Sequence, residues 1–381
     1  MKKSLVAAAL MSCFAGAALA APTVNVYGLI DTGLSYVHTN ADVAGTASTD
    51  TFSMENGQEF GSRWGIKGSE KLGASTLSFV LESGFQSDDG ASDTKQASRL
   101  FGREASITVT GPYGSVAFGR LPIFGSVLSA NGLFRAIDPS FANYTVGMGS
   151  GYATASMWTR VDNAISYRTP TFAGLTGYAM YSFKNDSVSG KGVEGKSSAD
   201  RYASLALRYQ NGAFEGVLVS DYTLYGNEEH KDADDGFTVT LGGNYTFSNQ
   251  LKVLAFAQYF DKMILNVNAR GGVAKSGINA FTKQAGYEAG YGQVDGWGVG
   301  LGINYPVWGG TAKAGINYRD MSNQTDVDFT RVTGTVAYDY PLSKRTSLYG
   351  MAGYSQEKVK ASGKSATPNG CQVSAGMIHR F

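Results

Sequence analysis

The chain has 381 residues with 32 basic and 31 acidic side chains, so its charge is close to balance and gives no electrostatic pull toward nucleic acid. It carries 50 glycines but only 8 prolines, with 22 tyrosines and 20 phenylalanines. That glycine content, far above the ~7 % usual in soluble proteins, argues against a soluble globular enzyme and suits many short strands, close backbone approaches and aromatic belts.

Met1-Lys2-Lys3 is cationic, a largely apolar run follows from Leu5 to Leu19, and Ala18-Leu19-Ala20 closes it. This order predicts a secretory signal peptide over residues 1–20, cleaved after Ala20. A lipoprotein site at Leu10-Met11-Ser12-Cys13 competes with it, but leaves a short apolar core and puts Met11 where that motif accepts it poorly. Cleavage takes two lysines from the 32 basic residues, leaving 30 against 31 acidic and a formal charge of −1. It also removes Cys13, so Cys371 is alone and no internal disulfide forms. The remainder contains no run of about 18 apolar residues, so no helix crosses a membrane, and a membrane location requires a barrel.

Beyond the leader, two kinds of connection alternate. Long Gly/Ser/Asp-rich stretches fall at about residues 38–58, 87–97, 122–159, 185–199, 226–235, 263–293, 322–328 and 358–369. Tight polar turns lie at Ser69–Gly73, Gly111–Gly114, Gln210–Gly212, Ser248–Gln250 and Pro341–Arg345. Eight long loops and seven short turns predict about sixteen strands with both termini on the short-turn side, an even number wide enough to leave an aqueous lumen. No repeat and no composition break divides the chain, so residues 21–381 form one all-β domain, a transmembrane antiparallel barrel.

The segment 122–159 is too long for a hairpin connection and keeps Phe124, Leu128, Leu133, Phe134 and Ile137, which predicts a packed loop. We read it as a constriction loop bent inward against the wall, with Gly125, Gly132, Gly147, Gly149 and Gly151 permitting the bends; the competing reading is an ordinary outward loop. Further along, ten-residue stretches alternate with period two. Val239, Leu241, Gly243, Tyr245 and Phe247 oppose Thr238, Thr240, Asn244 and Thr246. Trp297, Val299, Leu301, Ile303 and Tyr305 oppose only glycine until Asn304. Ala312, Ala314, Ile316 and Tyr318 oppose Lys313, Asn317 and Arg319, and Val332, Val336, Tyr338 and Tyr340 oppose Arg331, Thr333, Thr335 and Asp339. One face suits lipid and the other water, with Tyr or Trp near the strand ends as an interfacial girdle requires. The last strand places Val373, Ala375, Met377, His379 and the terminal Phe381 on one parity.

At this point the chain resembles the general diffusion porins of Gram-negative bacteria, in particular the β-proteobacterial type related to neisserial porins. The similarity covers the whole chain. It rests on Val24-Asn25-Val26-Tyr27-Gly28-Leu29-Ile30-Asp31, on Gly61-Ser62-Arg63-Trp64-Gly65-Ile66-Lys67-Gly68 followed by Glu70 and Leu72-Gly73, on Phe101-Gly102-Arg103-Glu104-Ala105, on Phe118-Gly119-Arg120 and on His379-Arg380-Phe381. The resemblance implies passive diffusion of small hydrophilic solutes and ions, and a homotrimer of sixteen-stranded barrels in the outer membrane, each narrowed by its third external loop. It further implies surrounding lipid and lipopolysaccharide, and recognition of the Phe381 strand by the barrel-assembly machinery. The family's basic cluster falls on Arg63, Arg103 and Arg160.

Parity supports part of that assignment. Arg63 opposes Trp64 and Ile66 and shares the inner face with Lys67, while Arg160 and Arg168 share the parity of Ala164 and Ser166 and oppose Val161, Ile165 and Tyr167. Arg103 shares its parity with Ile107 and Val109, so it rests on the resemblance. Lys67, Arg120, Arg135, Asp138 and Arg168 are further pore-lining candidates. The bland alternative for all of them is a lumen salt bridge without consequence for transport. Between Pro122 and Thr159 the only charges are Arg135 and Asp138, so the loop cannot balance a basic wall, which predicts a weak to moderate anion preference.

An enzymatic barrel needs a histidine placed near a nucleophile or carboxylates, but His38 and His230 fall in predicted external loops and His379 beside Phe381, and each reads as a solvated or interfacial side chain. The three histidines are far apart and no Cys cluster exists, so no metal site or cofactor is expected; the acidic run Asp232, Asp234 and Asp235 near Glu228 and Glu229 reads as a solvated loop, the alternative being attraction of a divalent cation. The other class of function is an adhesin or receptor acting through its external loops.

Overall fold

The computed structural model describes residues 23–92, 99–129, 131–140, 148–155 and 159–381. The leader read over residues 1–20 lies outside them, as do residues 93–98 at the second long loop and parts of the 122–159 segment. Alternating residues become strands in chain order: β1 (Thr23–Asn40), β2 (Thr49–Asn56), β3 (Arg63–Leu72), β4 (Ser75–Gly84), β5 (Glu104–Gly111), β6 (Gly114–Pro122), β7 (Arg160–Arg168), β8 (Leu175–Ser182) and β9 (Arg201–Asn211). There follow β10 (Phe214–Leu224), β11 (Gly236–Thr246), β12 (Lys252–Leu265), β13 (Gly292–Val307), β14 (Gly310–Asn323), β15 (Asp328–Pro341), β16 (Thr346–Ala361), β17 (Lys364–Ala366) and β18 (Asn369–Arg380).

β2 and β3 both pair with β1 and form the two halves of one crossing strand, and β17 and β18 do the same against β16. The eighteen segments therefore make sixteen antiparallel strands. β18 returns to β1 from Leu29–Arg380 to Asn40–Asn369, which closes the sheet and leaves no edge. The interruption between β2 and β3 is filled by Asp31, whose carboxylate accepts from the N–H of Glu59 (2.9 Å), the N–H of Phe60 (2.7 Å) and the Tyr349 hydroxyl (2.7 Å). The alternation sorts the faces: Leu241 is 61 % exposed, and its neighbour Thr240 is 1 % exposed on the inner side.

Three of the long connections contain a strand or an α-helix that composition hides, one of them β17 within residues 358–369. Residues 49–56, read as loop, form β2 against Thr32–Thr39. This strand is largely exposed on both parities, so no buried face marks it in the sequence. The 263–293 connection holds two helices, α1 (Val267–Arg270) and α2 (Lys275–Gln284). Ala274, Ile278 and Phe281 of this region pack against Phe260, Met263, Val294, Met321, Phe329 and Val359, which fastens the helices to the long-loop end of β12–β16.

The described part of the 122–159 segment packs against side chains of the strands. Leu133, Phe134 and Ile137 form one apolar cluster with Tyr178, Met180, Tyr202, Val219 and Phe256, each side chain contributing about 1.5–3 kcal/mol when fully buried. Wall side chains then fix its backbone: Asn244 Nδ2 donates to the Ala136 carbonyl (2.7 Å), Asn317 Nδ2 to Ser140 Oγ (2.6 Å), and Gln258 Oε1 accepts from Ala155 N–H (2.7 Å). The bare inner positions of β13 are what make room. A Cβ on Gly302 would stand 2.6 Å from Pro139, and one on Gly298 would collide with the Ala153 carbonyl.

Candidate functional site

β3, β5 and β7 run in the same direction, away from the long-loop end, and their first residues fall at one height. Arg63 opens β3, Arg103 directly precedes β5, and Arg160 opens β7. With strands about 4.8 Å apart, alternate strands bring three guanidiniums within reach of the intervening β4. Glu82 of β4 accepts from Arg103 Nε at 2.8 Å, and its Oε1 stands 4.0 Å from Arg63 Nη1. The Tyr27 hydroxyl donates to its other oxygen at 3.0 Å. Arg160 Nε donates to the Arg103 carbonyl at 2.6 Å, and Arg63 Nε to the Gly61 carbonyl at 3.0 Å.

Two bulges explain how these side chains meet despite the parity of their strands. Glu104 pairs with Glu82, and the Arg103 N–H also donates to the Glu82 carbonyl (3.1 Å), so two residues of one strand stand against one of the other. The extra residue resets the alternation and frees Arg103 from the parity of Ile107 and Val109. In β7 the register slips between Gly119–Ala164 and Leu121–Val161, at Asn163 with φ 47°. Val161, read from the sequence as outward, is instead fully buried beside Leu121 and Ile123, because parity does not carry across that bulge.

Arg135 approaches this group from the loop, and the remaining candidates are spread out. Arg135 is exposed and lies over the Phe60 ring at 5.0 Å, with Arg380 over the same ring at 5.5 Å. Asp138, read as pore-lining, is 2 % exposed and accepts from the Ser140 N–H at 3.1 Å; it caps the turn at Pro139, a local role that short acidic side chains favour. Arg120 is tied to Asp162 and to the Gly102 carbonyl, in a network that Arg99 extends from Asp162 (2.8 Å) to Asp186 (2.6 Å). In that loop Asp186 is held well below the usual carboxylate range: burial opposes this, and backbone N–H donors from Ser189 and Val188 with the Arg99 guanidinium outweigh it. Lys67 stands over the Tyr27 ring at 4.7 Å, four residues down the wall from Arg63. Arg168 lies over Tyr178 at 5.8 Å, eight residues and about 26 Å along β7 from Arg160, near the opposite mouth.

Sequence reading missed the acidic members of the site. Glu82 shares the polar parity of Ser78 and opposes Phe79 and Leu81, a signal that was present. Glu104, held by Ser106 Oγ and Ser129 Oγ at 2.9 Å each, shares the polar parity of Ser106 and Thr108, so its signal was present as well. The result is four guanidiniums, of Arg63, Arg103, Arg135 and Arg160, against two carboxylates. Among the described residues the arrangement is a charged, polar wall.

A family model described as Gram-negative porin matches residues 6–360. An outer membrane porin protein of Bordetella pertussis is 32 % identical over the full length of both chains, and outer membrane porin protein 32 of Delftia acidovorans is 29 % identical, also over the full length of both. Among solved structures, an anion-selective porin from Comamonas acidovorans superposes with a TM-score of 0.65 at 26 % identity, covering 95 % of this chain and all of that one. A closed sixteen-stranded barrel, a lumen wall of alternating polar residues and full-length matches of this kind place the chain in the Gram-negative porin family, the channel-forming barrels of the outer membrane.

Proposed function

We propose that this channel favours anions, that its selector is the group Arg63, Arg103, Arg135 and Arg160, and that residues 122–159 are the constriction loop. The observation that carries the reading is the fate of the two loop charges. Asp138 is buried in its own turn, and Arg135 is exposed with no carboxylate partner among the described residues. The loop then adds positive charge to a wall that already holds three arginines against Glu82 and Glu104. In a narrow passage of low dielectric, a bias of about 1.4 kcal/mol is tenfold in permeability, and two excess charges are of the right order to supply it. The solved relative described as anion-selective supports the same direction.

The rest of the reading follows the family. Residues 1–20 are a cleaved leader, residues 21–381 a single barrel domain, and the assembly a homotrimer set in lipid and lipopolysaccharide. Phe381 is the end of the strand that the assembly machinery reads. Passage of small hydrophilic solutes is passive, without catalysis. The test is the zero-current potential of purified protein in a planar bilayer under a salt gradient, with Arg63→Ala, Arg103→Ala, Arg135→Ala and Arg160→Ala alongside. A potential of the anion-preferring sign, reduced by each substitution, is expected; a cation-preferring wild type would sink the assignment.

A further inference from the structure

We propose that the long-loop end of this barrel holds a buried inorganic anion of halide size at Arg319, between the Gly151–Ala155 stretch and the α1–α2 connection. Arg319 of β14 is paired with Arg331 of β15, and Arg331 with Glu357 of β16. Glu357 takes one guanidinium on each oxygen, Arg319 Nη2 and Arg331 Nη2 both at 2.5 Å, and the Tyr291 hydroxyl donates to it at 2.7 Å. A third cation closes over them: Arg270 of α1 donates to the Gly151 carbonyl at 2.6 Å and is close enough to Arg319 for the two like charges to act on each other. Arg331 also donates to the Gly271 carbonyl at 2.6 Å, so the roof is pinned from both sides.

Two guanidiniums thus share one carboxylate beneath a third cation, where water is excluded, since the side chains of Arg319 and Glu357 have no exposed surface. Among the described residues, Glu357 is the carboxylate that ion-pairs with Arg319 and Arg331. The sequence has none between Asp138 and Asp162, and Glu288, the only one in residues 263–291, is exposed. Asp295, Asp320 and Asp328 lie on the opposite parity of their strands. A second observation points to a ligand: Arg319 Nε and Nη1 are buried with no hydrogen-bond partner, while its Nη2 serves Glu357 and the Tyr291 hydroxyl. A buried cationic donor without an acceptor is strongly unfavourable, and unbalanced buried charge more so. A small monovalent anion at the orphaned donors answers both deficits and ties the Gly151–Ala155 stretch to the wall.

The test is protein refolded and crystallised in sodium bromide. We expect an anomalous difference peak for bromide within hydrogen-bond distance of Arg319 Nε or Nη1, lost in Arg319→Gln crystals grown the same way. We also expect thermal unfolding of the wild type to occur at higher temperature in bromide than in gluconate of equal ionic strength, a difference the variant lacks. A water or no density at Arg319, or bromide found only along the exposed arginines, overturns the proposal. If Arg319→Gln does not fold, the wild-type map decides alone.

Discussion

Gly28 and Phe381 exchange both of their backbone hydrogen bonds, each at 3.1 Å, and the Phe381 ring occupies the space a side chain on Gly28 would need. A Cβ there would stand 2.5 Å from the ring and 2.6 Å from the Arg63 carbonyl. The seam of the barrel is therefore sealed by the last residue of the chain lying over a bare one near its start. Gly28→Ala should lower the unfolding free energy by roughly 1–3 kcal/mol through overpacking. Phe381→Ala should cost stability alone but less than additively in the Gly28→Ala background, because the ring is one of the two obstacles. Unfolding of the four proteins in urea, followed by heat-modifiable gel mobility, measures the coupling; strict additivity would show that ring and glycine are unrelated.

Glu82 is the acidic centre of the basic wall, and its removal tests the sign of the selector from the opposite side. Glu82→Gln frees the Arg103 and Arg63 guanidiniums and should raise the anion-to-cation permeability ratio severalfold, toward the tenfold that about 1.4 kcal/mol represents. A fall in that ratio, read from the zero-current potential, would contradict the placement of these residues along the ion path.

Gly298 carries no side chain where the Ala153 carbonyl rests on β13. Gly298→Val should push the outer leg of the 122–159 segment off the wall, with a stability loss of about 1–3 kcal/mol and a lower single-channel conductance as the loop moves toward the axis. Unchanged conductance in a folded variant would mean that this leg does not border the pore.

His230 tests a loop rather than the pore. Its Nδ1 lies 3.1 Å from Asp200 Oδ1, which also accepts from the Gly226 N–H at 2.6 Å, and the hydrogen bond to Asp200 raises its pKa above the usual 6.5. A raised folded pKa means that the charged pair stabilises the 226–235 loop fully below about pH 6.5 and that this contribution is lost as pH rises through the folded value. Proteolysis of this loop should be slower at pH 6 than at pH 8.5, and His230→Leu should remove the difference after correction for the protease's own pH dependence. Equal protection at both pH values in the wild type would show that the pair does not hold the loop.

How much of this was legible beforehand differs by element. The bare even positions Gly298 and Gly302 stood out in the sequence, but alternation says only which face a residue takes, not what lies on that face. Their meaning appeared once the Ala153 and Pro139 backbone was seen against them. Arg319 and Arg331 likewise read as inner-face residues, while their convergence on Glu357, with Arg270 above, depends on pairing across three strands and a helix far apart in sequence.

The sequence by itself determined the barrel, its strand number, its lipid-facing and water-facing sides and its closing residue. These follow from period-two patterning, strand length and turn chemistry, each of which acts over a few residues. The tertiary structure decided where charges meet. Bulges at Arg103 and Asn163 reset the parity of two strands, Asp138 is buried in its own turn, and Leu133, Phe134 and Ile137 of one loop pack on apolar side chains of distant strands. Those outcomes depend on contacts between segments that local pattern does not connect, so the energy that selects them is absent from any single stretch of the chain.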